Sequence, residues 1–289
     1  MRIGILGSRQ SWHVEALRKA LNRRGIPSDH FPTTSFMAGI SHKPYVRIGE
    51  QALEEYDAII VRSIPTGSLE QVIFRVDVLH RLENIGVKII NSATTLERTV
   101  DKYYTSTLLE DKGIPTPRTL VTERFDQAME AFQQLGDVTA KPLFGSQGRG
   151  MVRVCDEDTA HRVFKALELG HYVYYLQEYM PHANWDIRAF VIGDDVVAAM
   201  VRRADDWKTN VAREARTEPL ELTDELKQLS LRASHTLGAD YAGVDILKAE
   251  KDGYYVTEVN GIPGWEGLQK TTKLDIADKI IEYIVKVVG

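Results

Sequence analysis

The stretch AGVDILKAEKDGYYVTEVNGIPG, from Ala242 to Gly264, sets two apolar, alternating runs on either side of Asp252-Gly253. That dipeptide suits a two-residue hairpin turn, whose central positions need backbone conformations that Asp and Gly tolerate. With Asp252-Gly253 as the loop, Lys251 faces Tyr254 and Asp245 faces Asn260. Cross-strand partners share a face, as do residues two apart on one strand, so Glu258 joins Asp245 and Asn260. A four-residue loop keeps this parity and a three-residue loop breaks it. Two carboxylates and an amide carbonyl offer oxygen donors only, the set that suits Mg²⁺, which keeps several waters and shares substrate phosphates. A solvated acidic sheet face is the plain alternative. Yet Asp245 lies within GVDIL and Glu258 within YVTEVNG, and carboxylates in core-like runs need a cation or another partner.

A second stretch, KPLFGSQGRG from Lys141 to Gly150, has the look of backbone folded around phosphate. It lacks the Lys-Ser or Lys-Thr pair of a P-loop, and its glycines run G-x-x-G-x-G, the reverse of a dinucleotide-binding fingerprint. Taken alone, a surface turn explains it equally well.

The 289 residues, 43% hydrophobic, suffice for two or three compact units. A net charge of -5 argues against a general affinity for nucleic acid. No run reaches the length of a membrane span, and the N-terminus reads as a first strand rather than a signal peptide. One cysteine, Cys155, excludes an internal disulfide and suits a reducing cytoplasm; within MVRVC it reads as a packed strand residue.

Along the chain, RIGIL, YDAIIVRS and VKIIN alternate with helical segments, which implies a small parallel sheet in residues 1–95. Residues 32–50 form a loop or hairpin. One helix of about 20 residues is expected from Ser92 to Gly113, with Pro115 and Pro117 forcing an extended exit. A central α+β unit, 96–184, carries the glycine-rich loop. A last unit, 185–289, has strands at 186–192, 195–203, 242–248 and 254–259 and a helix from Thr223 to Leu237.

Together these motifs resemble the RimK-like branch of the ATP-grasp carboxylate–amine ligases. The likeness rests on Asp101-Lys102, K-x-x-x-G-S-Q-G-R-G at 141–150, QEY at 177–179, DIR at 186–188, VVAAMVRRA at 196–204, AGVDIL at 242–247 and EVNGIPG at 258–264. It implies an α/β and α+β ATP-grasp fold: an N-terminal parallel-sheet domain, a central domain with a nucleotide lid, and a C-terminal domain with the Mg²⁺-binding hairpin. By position, Lys102 and Lys141 would reach ATP, and Gly145, Ser146 and Gly148 would form a lid over its phosphates. Gln177, Glu178 and Tyr179 would meet the adenine edge and ribose, and Asp186 would add a nucleotide contact. Asn210 and Arg213 match an N-x-x-R stretch that relatives usually follow with two glycines; Glu214 and Ala215 stand here instead. Asp245, Glu258 and Asn260 would hold Mg²⁺, with two ions implied and Mn²⁺ an acceptable substitute. Arg188, Arg202 and Arg203 would clamp reacting carboxylate or phosphoryl groups, although adjacent Arg202 and Arg203 must point to opposite faces of a strand.

The implied reaction activates a carboxylate as an acyl-phosphate with ATP and joins it to an amino group, L-glutamate being the favoured amine. The wording around the lid and the 260s resembles the members that add glutamate to tetrahydromethanopterin. Acceptors such as a protein C-terminus or another small carboxylate stay open, as do a kinase without ligation and a non-catalytic nucleotide-binding module. Trp265 either stacks on a flat acceptor ring or caps the core beside Gly264. Partners are small molecules, with neither nucleic acid nor membrane, in a cytoplasmic protein compatible with a homo-oligomer.

Overall fold

A computed structural model describes residues 1–145, 148–209, 216–249 and 253–289. Ser146, Asn210, Arg213 and the Asp252 side of the hairpin turn lie outside these residues. The first sheet is fully parallel: Ser28–Phe31, Ile3–Leu6, Ala58–Val61 and Lys88–Ile90 lie side by side in that spatial order. Ser28–Phe31 escaped the sequence reading because SDHF has no apolar alternation. The 32–50 segment contributes Met37–Ala38 and Val46–Ile48 to a small antiparallel sheet completed by Gln51–Ala52.

The helix expected from Ser92 to Gly113 is two helices, Ala93–Val100 and Lys102–Asp111. Asp101 separates them in an extended conformation, and its carboxylate accepts from Tyr104 N (3.0 Å) as an N-cap. A side chain that competes for backbone N–H groups ends one helix and starts the next. Lys102 thereby becomes the first residue of a helix aimed at the glycine-rich loop.

The central antiparallel sheet runs Val152–Val154, Val138–Lys141, Tyr174–Glu178, Thr119–Thr122, with helices Phe125–Leu135 and Glu157–Leu169 packed on it. Cys155 falls just past Val154 and is exposed, so it is not the packed strand residue expected. The third sheet has five antiparallel strands in the order Arg216–Pro219, Asp195–Arg203, Trp185–Ile192, Tyr241–Ala249, Gly253–Asn260.

Strand periodicity explains how this sheet divides its duties. Ile187, Ala189, Val191, Val244, Ile246, Val256 and Val259 face the Asp224–Leu237 helix and form one core. On the opposite face Phe190, Ile192 and Tyr241 join a second core with Ile3, Ile5 and Leu17 of the N-terminal unit. Further along that face the side chains become Asp186, Arg188, Arg202 and Asp245. The change marks where the core ends and a polar site begins.

The Ile276–Val288 helix closes the molecule by packing on the Trp12–Arg23 helix. Ile276, Ile280, Ile281 and Ile284 share its apolar stripe and are fully buried, each contributing on the order of 1.5–3 kcal/mol. Arg24 pairs with Asp278, and Arg23 with Asp275, at the rim of this contact.

Candidate active site

A cleft between the central and five-stranded sheets is lined by Lys102, Lys141, Gln177, Glu178, Tyr179, Asp186, Arg202, Asp245 and Glu258, nine residues named from the sequence. Lys141 ends a strand of one sheet, while Asp245 and Glu258 stand on neighbouring strands of the other.

The hairpin register differs from the sequence expectation. Its last described pair is Ala249 with Gly253, which have three residues between them in the chain, and Ile246 pairs with Val256. Continued unchanged, that register would put Asp245 opposite Thr257 and turn Glu258 to the other face. A bulge between Asp245 and Ile246 takes up Thr257 as an extra residue, whose hydroxyl donates to Asp245 O (3.3 Å). Asp245 therefore pairs with Glu258, and Asn260 with Gly243 rather than with Asp245. The three oxygen-bearing side chains still share one face.

Arg188 sits beside Asp245 on the next strand and grips its carboxylate with Nε and Nη2. Gly243 is required here: a Cβ would lie 2.5 Å from Arg188 Nη1 and 3.1 Å from Pro263. In the amide orientation that satisfies both neighbours, Asn260 donates to Glu258 Oε1 (3.0 Å) and accepts from Arg188 Nη2 (3.2 Å). Arg202, opposite Asp186, donates to both Asp186 oxygens (2.7 and 2.5 Å) and lies 3.0 Å from Asp245. Thr209 Oγ1 also donates to Asp186 (2.6 Å), so this carboxylate is a fixed counter-ion to Arg202 rather than the free nucleotide contact expected. Burial alone would raise the Asp245 pKa, but Arg188 and Arg202 outweigh it and hold the carboxyl below its usual range. Burial likewise opposes the charge on Arg202, yet Asp186 and Asp245 raise its pKa.

Arg203 does not reach the site. It lies on the far face, exposed, with Nε 3.3 Å from Glu218 and its guanidinium over the Trp185 ring. The alternation of strand side chains leaves no other choice.

On the central sheet Lys141 Nζ donates to Gln177 Oε1 (2.5 Å), and Gln177 Nε2 donates to Thr119 Oγ1 and Tyr175 Oη (3.2 Å each). Burial lowers the Lys141 pKa to about 8, with Glu258 opposing the shift and Lys102 reinforcing it. Lys102, also lowered by burial, donates to the carbonyls of Gly145 (2.8 Å) and Leu143 (3.5 Å) and so ties down the root of the glycine-rich loop. Gly148 and Gly150 adopt φ of +66° and +75°, conformations that side chains resist. The Glu178 and Tyr179 N–H groups, expected at the adenine edge, donate instead to the carbonyls of Arg118 and Asp137 (2.8 Å each).

Sequence reasoning missed His182, Trp207, Lys208 and Thr209, which line the same cleft. The His182 ring nitrogens face the carbonyls of Met180 (2.8 Å) and Trp207 (3.0 Å), and Lys208 Nζ donates to Met151 O (2.7 Å). For Trp207, Lys208 and Thr209 the position just before Asn210 was the available signal; for His182 there was none. Trp265 is fully buried, edge-on to His13 and Phe190 and beneath the Arg62 guanidinium, which settles its role as core rather than a ring-stacking platform.

Among the described residues no group of three or more His, Cys, Asp or Glu side chains is placed to hold a metal. The candidate set is thus two carboxylates and an amide, leaving other coordination positions to water and phosphate. These donors already gather around one positive group, Arg188, which Asp245 and Asn260 contact directly and Glu258 joins through Asn260. Their all-oxygen chemistry and charge fit Mg²⁺.

Residues 1–96 match the model of the RimK PreATP-grasp domain, and residues 99–284 that of the RimK-like ATP-grasp domain. The tetrahydromethanopterin:alpha-L-glutamate ligase of Methanococcus maripaludis is 36% identical, over 98% of this chain and 97% of that protein. Its namesake from Methanocaldococcus jannaschii is 34% identical, over 100% and 99%. The structure of the ATP-grasp ligase PsnB complexed with minimal precursor, Mg and ADP superposes with a TM-score of 0.78, covering 99% of this chain and 97% of that one at 22% identity; this likeness concerns the fold.

Proposed function

This chain belongs to the RimK-like ATP-grasp family of ATP-dependent carboxylate–amine ligases, and from that premise we propose that it joins L-glutamate to the carboxylate of a tetrahydromethanopterin-type pterin. The observation that carries the ligase chemistry is the facing of two charge sets across one cleft. Lys102 and Lys141 stand on one wall, and Arg202 among Asp186, Asp245 and Glu258 on the other, with Arg188 gripping Asp245 from the neighbouring strand.

A carboxylate resists attack by amines because resonance stabilises it and oxide is a poor leaving group. Transfer of the γ-phosphoryl from ATP to a carboxylate oxygen gives an acyl-phosphate and ADP. The amine nitrogen then attacks the carbonyl carbon, the carbon–oxygen bond to phosphate breaks, and the amide forms with loss of a proton. Lys141, aimed by Gln177, binds nucleotide phosphate, and Lys102 holds the lid root near it. Arg188 and Arg202 carry permanent positive charge, fixed by Asp245 and Asp186, toward the phosphoryl and acyl oxygens. Asp245, Glu258 and Asn260 would hold Mg²⁺, which supplies Lewis-acid polarisation of phosphoryl oxygens when bound. No protein nucleophile is required.

The names of the relatives, 34 to 36% identical over nearly the whole chain, support the acceptor. Incubation with ATP, Mg²⁺, L-glutamate and candidate carboxylates should release ADP only with an accepted carboxylate, which gains one or more glutamyl units by mass spectrometry. Glutamylation of a protein C-terminus but not of the pterin would overturn the acceptor assignment. ATP binding without acceptor-dependent ADP release from any carboxylate would overturn the ligase reading in favour of a binding module.

A further inference from the structure

Asn91 follows the last strand of the N-terminal parallel sheet, is fully buried, and spends its whole side chain on another part of the molecule. Its Nδ2 donates to the carbonyls of Gly261 (2.6 Å) and Tyr241 (2.8 Å), while Oδ1 accepts from the N–H groups of Asp240 (2.6 Å) and Tyr241 (3.2 Å). These partners open the strand that carries Asp245 and follow the strand that ends at Asn260. One amide therefore bridges the backbones of both hairpin strands at their open end. Arg62, on the neighbouring parallel strand's exit, reinforces the grip: Nη2 donates to Pro263 O (2.7 Å) and Nη1 to Tyr241 Oη (3.0 Å), with the guanidinium 4.6 Å above the Trp265 ring. Thr99 closes the remaining side so tightly that Gly261 has no room for a Cβ. The turn leaving Asn260 is thus held by Asn91 and Arg62 of the N-terminal unit and by Thr99 of the Ala93–Val100 helix, not by the sheet that carries the site.

We propose that Asn91 and Arg62 are positioning residues, which fix the Gly261–Pro263 turn and thereby set the Asn260 amide against Asp245 and Glu258 for metal–nucleotide binding. This rests on the metal role given to Asn260 above. Outer partners that orient ligands commonly govern metal affinity by tenfold or more, because a displaced ligand must be reordered at every binding event. Replacing Asn91 by Asp keeps the acceptor toward Asp240 and Tyr241 but turns an oxygen toward the two carbonyls.

The test titrates Mn²⁺ calorimetrically into the full-length chain saturated with ADP, alongside metal-free ADP binding and thermal melting. Asn91→Asp and Arg62→Met should each raise the Mn²⁺ Kd, the former by about tenfold or more, with metal-free ADP affinity unchanged. Thr95→Val is the control: it removes the Thr95 Oγ1 hydrogen bond to Gly238 O (2.8 Å), which joins the same two units away from the turn. It should lower the melting temperature and leave the Mn²⁺ Kd unchanged. Lower melting temperatures with wild-type Mn²⁺ affinity in Asn91→Asp and Arg62→Met would make both residues merely structural and overturn the proposal. If Asn91→Asp does not fold, Arg62→Met decides on the same criterion. Failure of the wild type itself to bind Mn²⁺ with ADP would instead overturn the metal role of Asn260, and the positioning role with it.

Discussion

Lys141 offers the sharpest test of how burial tunes this site. Its side chain is half-buried and its ammonium is held by Gln177, and desolvation pushes its pKa from 10.5 down to about 8. Below about pH 8 the free protein already presents the charge that a nucleotide phosphate needs. Above it, binding must first return a proton to Lys141, so ADP affinity should fall toward tenfold for each further pH unit until the pKa in the complex is reached. Removing the side chain in Lys141→Met should cost roughly 1.5–3 kcal/mol of binding, the worth of a hydrogen bond to a charged group, or about 10- to 150-fold in Kd. It should also abolish most of the pH slope, leaving the part that Lys102 contributes. The sign for stability is opposite to that of a lysine gaining a partner. The native state gives up its proton near 8 while the unfolded chain keeps it to 10.5, so stability without nucleotide should rise with pH through that window. The gap is worth at most roughly 3 kcal/mol, read as the difference between wild type and Lys141→Met. ADP titrations from about pH 7 to 9.5 in buffers of differing ionisation enthalpy measure affinity and proton uptake together. A wild-type Kd independent of pH, or an equal slope and equal proton uptake in Lys141→Met, would refute the reasoning.

Three further outcomes separate the other charged and aromatic candidates. Arg202→Met should destabilise by about 3–5 kcal/mol, because it strips Asp186 of a buried partner; chemical denaturation measures this, and a loss below about 1 kcal/mol would show the pair to be effectively solvated. Arg203→Ala, on the exposed face, should shift stability by no more than about 0.5 kcal/mol and leave kcat/KM intact; a large loss of turnover would place it in the site after all. Trp265→Ala should cost about 3–5 kcal/mol in folding through the cavity it opens; a selective rise in acceptor KM with unchanged melting temperature would restore the stacking role.

Much of the site was legible because its chemistry is local. Asp245 and Glu258 stand out as carboxylates in strands of valine and isoleucine, and alternation alone sends Arg202 and Arg203 to opposite faces. What alternation could not say was which of the two arginines faces the cleft. That depended on which face packs against the Asp224–Leu237 helix, a choice made by contacts far apart in the chain. The hairpin is the most instructive case: the expected turn predicted the correct shared face through an incorrect register, because the bulge at Thr257 restores a parity that the observed pairing would otherwise have lost.

Residue types and short spacings were enough to anticipate most strands and helices and to bring the oxygen-bearing side chains of Asp245, Glu258 and Asn260 to one face, since these depend on periodicities of two and 3.6 residues and on side-chain chemistry. Tertiary structure alone decided that Arg188 and Arg202 neutralise Asp245, that Asp186 is already occupied, that Trp265 belongs to the core, and that Asn91 reaches from another sheet to grip the turn after Asn260. The physical reason is distance along the chain. A buried charge or amide must find its partners wherever the packed elements bring them, and for Asn91 and Gly261 those partners lie 170 residues apart.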